Sequence, residues 1–250
     1  MISFCQFGAG RIGAIHAGNI ARHPGARLLH VVDVDAAAAA RLAAAHGARA
    51  SGREEALADP AVDAVLIASS TDTHAGLIEA ASRAGKAVFC EKPIDLDRAR
   101  VEACLAVAAQ AGIILMIGFN RRFDPNFAKL QAQLRAGRIG RLEMLAITSR
   151  DPGPPPLAYI KVSGGLFRDM MIHDLDMARW LLGEEPVEVF AAASCLVDPE
   201  IGKTGDFDSA AVTLKTASGA LCCTSSSREP SSRGSGARHV FMKSWSASLN

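Results

Sequence analysis

The chain opens with an apolar run, Ile2 to Phe7, then a glycine turn, then a segment with helical period over 12–21. The same alternation repeats down the first half. Apolar stretches at 28–32, 64–68, 86–90 and 113–117 are separated by helix-like segments at 36–45, 54–58, 75–84 and 98–111. The run 64–68 is apolar at every position, as expected for a strand buried on both faces of a parallel sheet. Strand and helix alternate five times, which predicts an α/β fold: a doubly wound parallel sheet with right-handed crossovers. Ligands bind such sheets at the carboxyl ends of the strands. The polar clusters at 69–74, 91–93 and 118–122 fall at those ends.

The pattern changes after Gly118. Residues 124–136 read as a helix and 142–149 as a strand. A proline-rich loop, Asp151 to Pro156, and the pair Gly164-Gly165 follow. An amphipathic helix is expected over 167–182, stopped by Gly183, and then strands at 187–196, 209–214 and 220–224. This predicts a second, α+β domain with a mostly antiparallel sheet. The boundaries drawn are 1–119 for the doubly wound domain, 120–227 for the α+β domain, and 228–250 for a disordered tail.

Composition narrows the class. With 250 residues, 49% of them hydrophobic, the chain can bury one large core or two small ones. The net charge of +1, from 27 basic and 26 acidic residues, shows no basic stripe and argues against a nucleic-acid partner. Met1 runs directly into the first strand without a basic, apolar leader, so a cytoplasmic protein is expected. The most membrane-like stretch, 103–119, is split by Gln110 and Gly112 and reads as a buried helix followed by a buried strand. The six cysteines, Cys5, Cys90, Cys104, Cys195, Cys222 and Cys223, lack paired CxxC spacing. They read as reduced core residues, with no metal site expected.

The sharpest motif is Gly8-Ala9-Gly10-Arg11-Ile12-Gly13, between the first strand and the first helix. Gly8 permits the tight turn, Gly10 lets the backbone approach a pyrophosphate, and Gly13 lets helix and strand pack closely. The helix N-terminus points N–H groups and a positive dipole end at the phosphates. The second strand ends in Asp33, whose carboxylate can accept from an adenine ribose 2′-OH and would repel a 2′-phosphate. A solvated Asp after a glycine-rich turn is the bland alternative.

Three further groups could carry chemistry. Lys92, in Glu91-Lys92-Pro93 at a strand's carboxyl end, sits where a substrate would lie beside a dinucleotide, although a surface lysine is the simpler reading. A proline after it fixes the turn and can adopt the cis form. Asp169 and His173 stand at i and i+4 on one helix face, where a carboxylate can orient an imidazole as general base. A helix-start Asp with an ordinary His is one alternative, and a metal pair with Asp174 and Asp176 another. Asn120-Arg121-Arg122 could hold hydroxyls or phosphates, or be solvated surface charge.

Taken together these residues resemble the Gfo/Idh/MocA oxidoreductases. The likeness rests on the glycine motif, Asp33, Thr71-Asp72-Thr73-His74, Glu91-Lys92-Pro93, Gly118-Phe119-Asn120-Arg121-Arg122-Phe123, and Gly164-Gly165 with Asp169 and His173. The stretches from Phe89 to Leu96, from Phe167 to Asp174 and from Thr148 to Pro152 resemble the branch that oxidises inositol. The resemblance spans residues 1–227. It implies NAD on Gly8, Ala9, Gly10, Arg11, Ile12 and Gly13, its ribose on Asp33, and its nicotinamide end near Ser70, Thr71, His74, Glu91 and Lys92. A polyol, myo-inositol, would bind between the two domains. His173 would take the C2 hydroxyl proton, Asp169 would orient it, and Lys92 would hydrogen-bond the reacting oxygen as hydride leaves C2. Asn120, Arg121, Asp151 and Tyr159 are further pocket candidates. A homotetramer and no membrane partner are also implied.

The tail departs from the family. Relatives continue after a Ser-Arg pair with a Tyr-Gly-Tyr-Asp segment, more sheet and a C-terminal helix, whereas 225–250 is rich in Ser, Arg and Gly. A frameshift or premature end near Ser227 is expected, with a natural short variant as the alternative. Missing strands would leave exposed sheet edges and apolar faces, with weak stability, low activity and doubtful assembly. Two other functions remain open: an NAD(P)-dependent dehydrogenase of another sugar or cyclitol, and a non-catalytic dinucleotide- or sugar-binding protein.

Overall fold

The computed structural model describes residues 1–151 and 153–228, and the backbone course of 238–245. Pro152 and residues 229–237 and 246–250, which include most of the tail, lie outside the described residues. The chain folds as two compact units, Met1–Gly118 and Phe119–Asn250.

The first unit is a six-stranded, all-parallel sheet in the order β3-β2-β1-β4-β5-β6. Its strands are β1 (Ile2–Phe7), β2 (Ala26–Val32), β3 (Arg49–Ala50), β4 (Ala64–Ile67), β5 (Ala87–Cys90) and β6 (Leu115–Ile117). The order reverses at β1, which is where a doubly wound sheet opens its ligand crevice. Side-chain alternation along the strands feeds two cores. Ala17 and Ile20 of α1 (Arg11–Arg22) and Ala39 and Ala43 of α2 (Ala36–Ala45) pack with Leu28, Val31 and Leu66 on one face. On the other face are Ala56 of α3 (Arg53–Ala58), Ala75, Ile78 and Ala81 of α4 (Thr71–Arg83), and Cys104 and Ala108 of α5 (Arg98–Ala111). They cover Cys5, Phe7, Val65, Ile67 and Val88. All four residues of β4 are buried, which is why that strand reads as an unbroken apolar run.

The second unit has a mixed, mostly antiparallel sheet in the order β11-β7-β10-β9-β8. Its strands are β7 (Arg141–Arg150), β8 (Pro186–Ser194), β9 (Ser209–Thr216), β10 (Leu221–Ser227) and β11 (Arg238–Trp245). Only β7 and β10 pair in parallel. Leu145, Ile147, Val212, Leu214 and Cys222 point into a core closed by Leu166, Met170, Met171, Met177 and Leu181. The unit's helices are α6 (Pro125–Arg135), α7 (Leu157–Ser163), α8 (Ile172–Leu182) and α9 (Pro199–Lys203), of which α6 and α8 pack against this core. Asp124 caps α6, accepting from the Asn126 N–H at 2.8 Å, with Pro125 at the first helical position.

Several details differ from the sequence pattern. The tail read as lacking order supplies β11, whose backbone pairs antiparallel with β7. The segment read as one helix over 167–182 starts with a π-helical turn, Leu166–Met171, before α8 begins at Ile172. Helix α7 follows the expected proline-rich loop, in a stretch to which the sequence pattern assigned no element. The cysteines split: Cys5, Cys90, Cys104 and Cys222 are buried, but Cys195 is only half-buried and Cys223 is exposed, and all six are free. Burial pushes the Cys5 and Cys222 thiols up to about 12, so both are inert packing groups at neutral pH. No described helix is long and apolar enough to cross a membrane.

Candidate active site

In the first unit the site begins at the glycine turn. Gly8 has φ +101°, and a Cβ there would lie 2.4 Å from the carbonyl oxygen of Ala68. A Cβ on Gly13 would lie 2.1 Å from the Gly8 oxygen, so helix α1 meets the turn only because position 13 has no side chain. A Cβ on Gly10 would meet nothing within 4 Å. That open space, with no side-chain cap and no acidic residue in the first turn of α1, fits the pyrophosphate of a dinucleotide. Arg11 is exposed and Ile12 half-buried beside it.

Gln6 holds this turn from below. Its fully buried side chain donates through Nε2 to the Gly8 oxygen at 2.8 Å and to the Gly13 oxygen at 2.9 Å. Asp33 holds it from the side: Oδ2 accepts from the Ala9 N–H at 2.6 Å, and Oδ1 accepts from the Asp35 N–H at 2.8 Å. The carboxylate therefore fixes the turn from the end of β2.

Around the next strand ends, Ser70 precedes α4 and is exposed, and Thr71 is its half-buried first residue. His74 is 2% exposed, and its ring nitrogens lie 2.7 Å from the Pro93 oxygen and 3.1 Å from the Ser69 oxygen. The side chain proposed from sequence to touch the cofactor here ties two loops together. Glu91 hydrogen-bonds His16 of α1, Oε1 to Nε2, at 2.7 Å. Burial works against its charge, but the His16 hydrogen bond and the Lys92 charge outweigh burial and hold Glu91 below the usual carboxylate range. Lys92 is half-buried, and the Lys92–Pro93 peptide bond is cis.

In the second unit, Asp169 lies in the π turn and His173 one step into α8, both half-buried. The Tyr159 hydroxyl donates to Asp169 Oδ1 at 3.1 Å, and the Phe119 ring meets the His173 ring edge-on at 6.4 Å between centroids. Asn120 is exposed, and Asp151 is half-buried with its N–H donating to the Ser227 oxygen at 3.0 Å. Arg121 pairs with the wholly buried Asp174, and Arg122 forms a fork on Asp176 at 2.5 and 2.9 Å. Asp174 and Asp176 are thus committed to arginines, and no group of three or more metal-ligating side chains exists among the described residues.

Gln6, His16, Asp206 and Arg228 escaped the sequence reading. His16 had a signal: it lies one helical turn beyond Gly13 and so faces the same end of the sheet. Gln6 is a polar residue in an apolar strand, which also invites a question. Asp206 and Arg228 pair across 22 positions, and no local pattern marks them.

Two family profiles match the chain: an oxidoreductase-family NAD-binding Rossmann fold over residues 2–119 and a GFO/IDH/MocA C-terminal domain over residues 127–238. The chain is 55% identical over 229 residues to an inositol 2-dehydrogenase of Rhizobium meliloti, covering 91% of this chain and 69% of that one. It is 50% identical over 223 residues to a myo-inositol 2-dehydrogenase of Thermotoga maritima, covering 88% of this chain and 67% of the other. Among solved structures, a myo-inositol dehydrogenase from Corynebacterium glutamicum superposes with a TM-score of 0.88 at 44% identity. That match covers 92% of this chain and 69% of that one.

Proposed function

The chain belongs to the Gfo/Idh/MocA oxidoreductase family, and from that premise we propose that it oxidises myo-inositol at C2 with NAD+, giving 2-keto-myo-inositol. The observation that carries this reading is the 55% identity to an inositol 2-dehydrogenase across 91% of the chain. The first unit holds the dinucleotide and supplies Lys92, and the second supplies the other groups that handle the polyol.

When bound, the nicotinamide accepts the hydride. The protein's own residues do the rest. The C2 hydroxyl gives its proton to the His173 imidazole while the C2–H bond yields its electron pair and hydrogen as hydride, so a C=O bond replaces the C–OH. Asp169 orients the imidazole and favours its charged form, and Tyr159 in turn holds Asp169. Lys92 donates to the reacting oxygen and stabilises the negative charge that develops there as its proton leaves. Asp33 supports NAD+ over NADP+, because its carboxylate at the end of β2 repels a 2′-phosphate. Asn120 and Asp151 complete the proposed pocket as hydroxyl-binding groups. Arg121 acts through Asp174 instead of on substrate.

The test is NADH formation with myo-inositol, scyllo-inositol and a panel of hexoses, for the wild type and Lys92→Ala, with NAD+ binding titrated on each. Turnover of myo-inositol that Lys92→Ala loses while still binding NAD+ supports the reading. Turnover of a different polyol alone moves the substrate within the cyclitol and sugar class. NAD+ binding without any turnover would support the non-catalytic alternative.

A further inference from the structure

The segment that carries Asp169 and His173 is bracketed by two buried ion pairs, and we propose that these pairs clamp the π turn between them, making Asp206 and Asp174 positioning residues for Asp169 and His173. The inference rests on the reading above that those two residues handle the substrate.

The first clamp stands just before the turn. Asp206 Oδ1 accepts from the Leu166 N–H at 2.9 Å, and its Oδ2 accepts from Arg228 Nη1 at 2.7 Å. Arg228 is 1% exposed, and its own N–H donates to the Asp208 oxygen at 2.9 Å. Gly165 has φ +75°, and a Cβ on it would lie 2.3 Å from Asp206 Oδ1. The carboxylate therefore sits directly against the backbone that enters the π turn. Nothing in a lone helix start demands a buried carboxylate braced by a buried arginine.

The second clamp stands just after His173. Asp174 is fully buried and collects donors from three elements. Arg121 from the Asn120–Phe123 turn and Ser149 Oγ from β7, at 2.6 Å, reach Oδ1, and Ser226 Oγ from β10, at 2.6 Å, reaches Oδ2. A buried carboxylate with this many partners is costly to move, because each displaced donor would be left unsatisfied.

Between the clamps the backbone is π-helical from Leu166 to Met171. A π turn is less favourable than an α turn and persists where its surroundings over-determine it. Its wider winding sets the angle at which Asp169 projects relative to His173. If either clamp loosens, the segment can relax toward an α register, which rotates Asp169 away from His173 while leaving the sheet and the first unit intact.

The test compares wild type with Asp206→Asn, Asp174→Asn and the milder Ser226→Ala, and uses Arg179→Ala as a control. Arg179 belongs to an exposed pair with Glu185 at the far end of α8. Hydrogen exchange is read by peptide mass spectrometry. The amides of 166–173 should exchange on the order of ten-fold faster in the two Asn variants, and less so in Ser226→Ala, with β9 and α6 still protected. In the same proteins kcat should fall on the order of 10²-fold, while the polyol KM and the NAD+ Kd stay within about three-fold. Arg179→Ala should change neither. Unchanged exchange over 166–173 in all three variants overturns the clamp. Exchange rising equally across the whole second unit, with kcat and NAD+ affinity lost together, makes the pairs structural only and overturns the positioning role. Should wild type oxidise no polyol, the functional reading fails, and the exchange data still decide whether the clamp exists.

Discussion

Nε2 of His16 lies 2.7 Å from Oε1 of Glu91, tying the helix that follows the glycine turn to the strand end that presents Lys92. The contact is braced on both sides. Phe89 meets the imidazole edge-on at 5.3 Å, and a Cβ on Gly118 would come within 3.1 Å of the Glu91 carboxylate. Glu91 is held below its ordinary value, so its ionised form stabilises the native state. That stability is present above the unfolded value of about 4.3 and is lost as pH falls toward the folded value. Glu91→Gln should therefore cost about 1 kcal/mol at pH 7, a figure reduced for its partial exposure. Urea unfolding at pH 7 and again below pH 4 should show the gap between wild type and variant closing in acid.

The three glycines of the turn separate by experiment. A Cβ on Gly13 collides with the Gly8 oxygen, whereas one on Gly10 meets nothing in the protein. Gly13→Ala should lose about 1–3 kcal/mol, at roughly 2–4 °C of Tm per kcal/mol in a chain this size, and should lose NAD+ affinity with it. Gly10→Ala should keep the wild-type Tm and lose about ten-fold or more in NAD+ affinity, because on the proposed reading its methyl group would stand against the pyrophosphate and against nothing in the protein. Thermal melts with and without NAD+, alongside a binding titration, read both. An equal Tm loss in the two variants would contradict the geometry.

The first unit was legible because its signals are local. Buried parallel strands give unbroken apolar runs such as 64–67, glycines mark the turn, and β2 ends visibly in an acid. The second unit was legible as strands and helices but not in its connections. Helix α7 follows a proline-rich stretch whose composition argues for a loop, and α9 is only five residues long. The π turn cannot be seen at all, because Asp169 and His173 satisfy the i, i+4 spacing of an ordinary helix. The Arg121–Asp174 and Arg228–Asp206 pairs bring together residues 53 and 22 positions apart, so a reading by neighbourhood could not join Arg121 to Asp174 and passed over Arg228. The His74 ring also ties two loops together, a contact that only tertiary structure shows.

Acid should loosen the loop after β8. Asp208 is fully buried, which by itself disfavours its charge. Three backbone N–H groups, from Leu196, Val197 and Asp198, at 2.8, 2.8 and 2.9 Å, more than offset that burial. Asp208 is thereby held far below the ordinary carboxylate range. A depressed folded value means that the stabilisation is complete above the unfolded value near about 3.9 and disappears as pH falls below it. Asp208→Asn should cost about 1–3 kcal/mol at pH 7 and progressively less below pH 4. Hydrogen exchange of 195–198 as a function of pH is the direct measurement. Wild type should show a rise in acid, and the variant should be fast at every pH.

Asp33 performs two tasks that can be taken apart. Its carboxylate accepts from the Ala9 N–H, which fixes the glycine turn, and on the proposed reading its charge would oppose a 2′-phosphate. Asn at this position keeps an acceptor for Ala9 and removes the charge. Ala removes both. Asp33→Asn should therefore retain most NAD+ affinity and raise the NADP+ to NAD+ ratio of kcat/KM by on the order of ten-fold, which corresponds to about 1.4 kcal/mol. Asp33→Ala should gain a similar ratio but bind both dinucleotides weakly, because the turn loses the 2.6 Å bond that holds Ala9. Steady-state kinetics with each cofactor, together with binding titrations, tests both halves. A selectivity ratio unchanged in Asp33→Asn would remove the charge from the account of cofactor choice and leave Asp33 as an anchor of the turn alone.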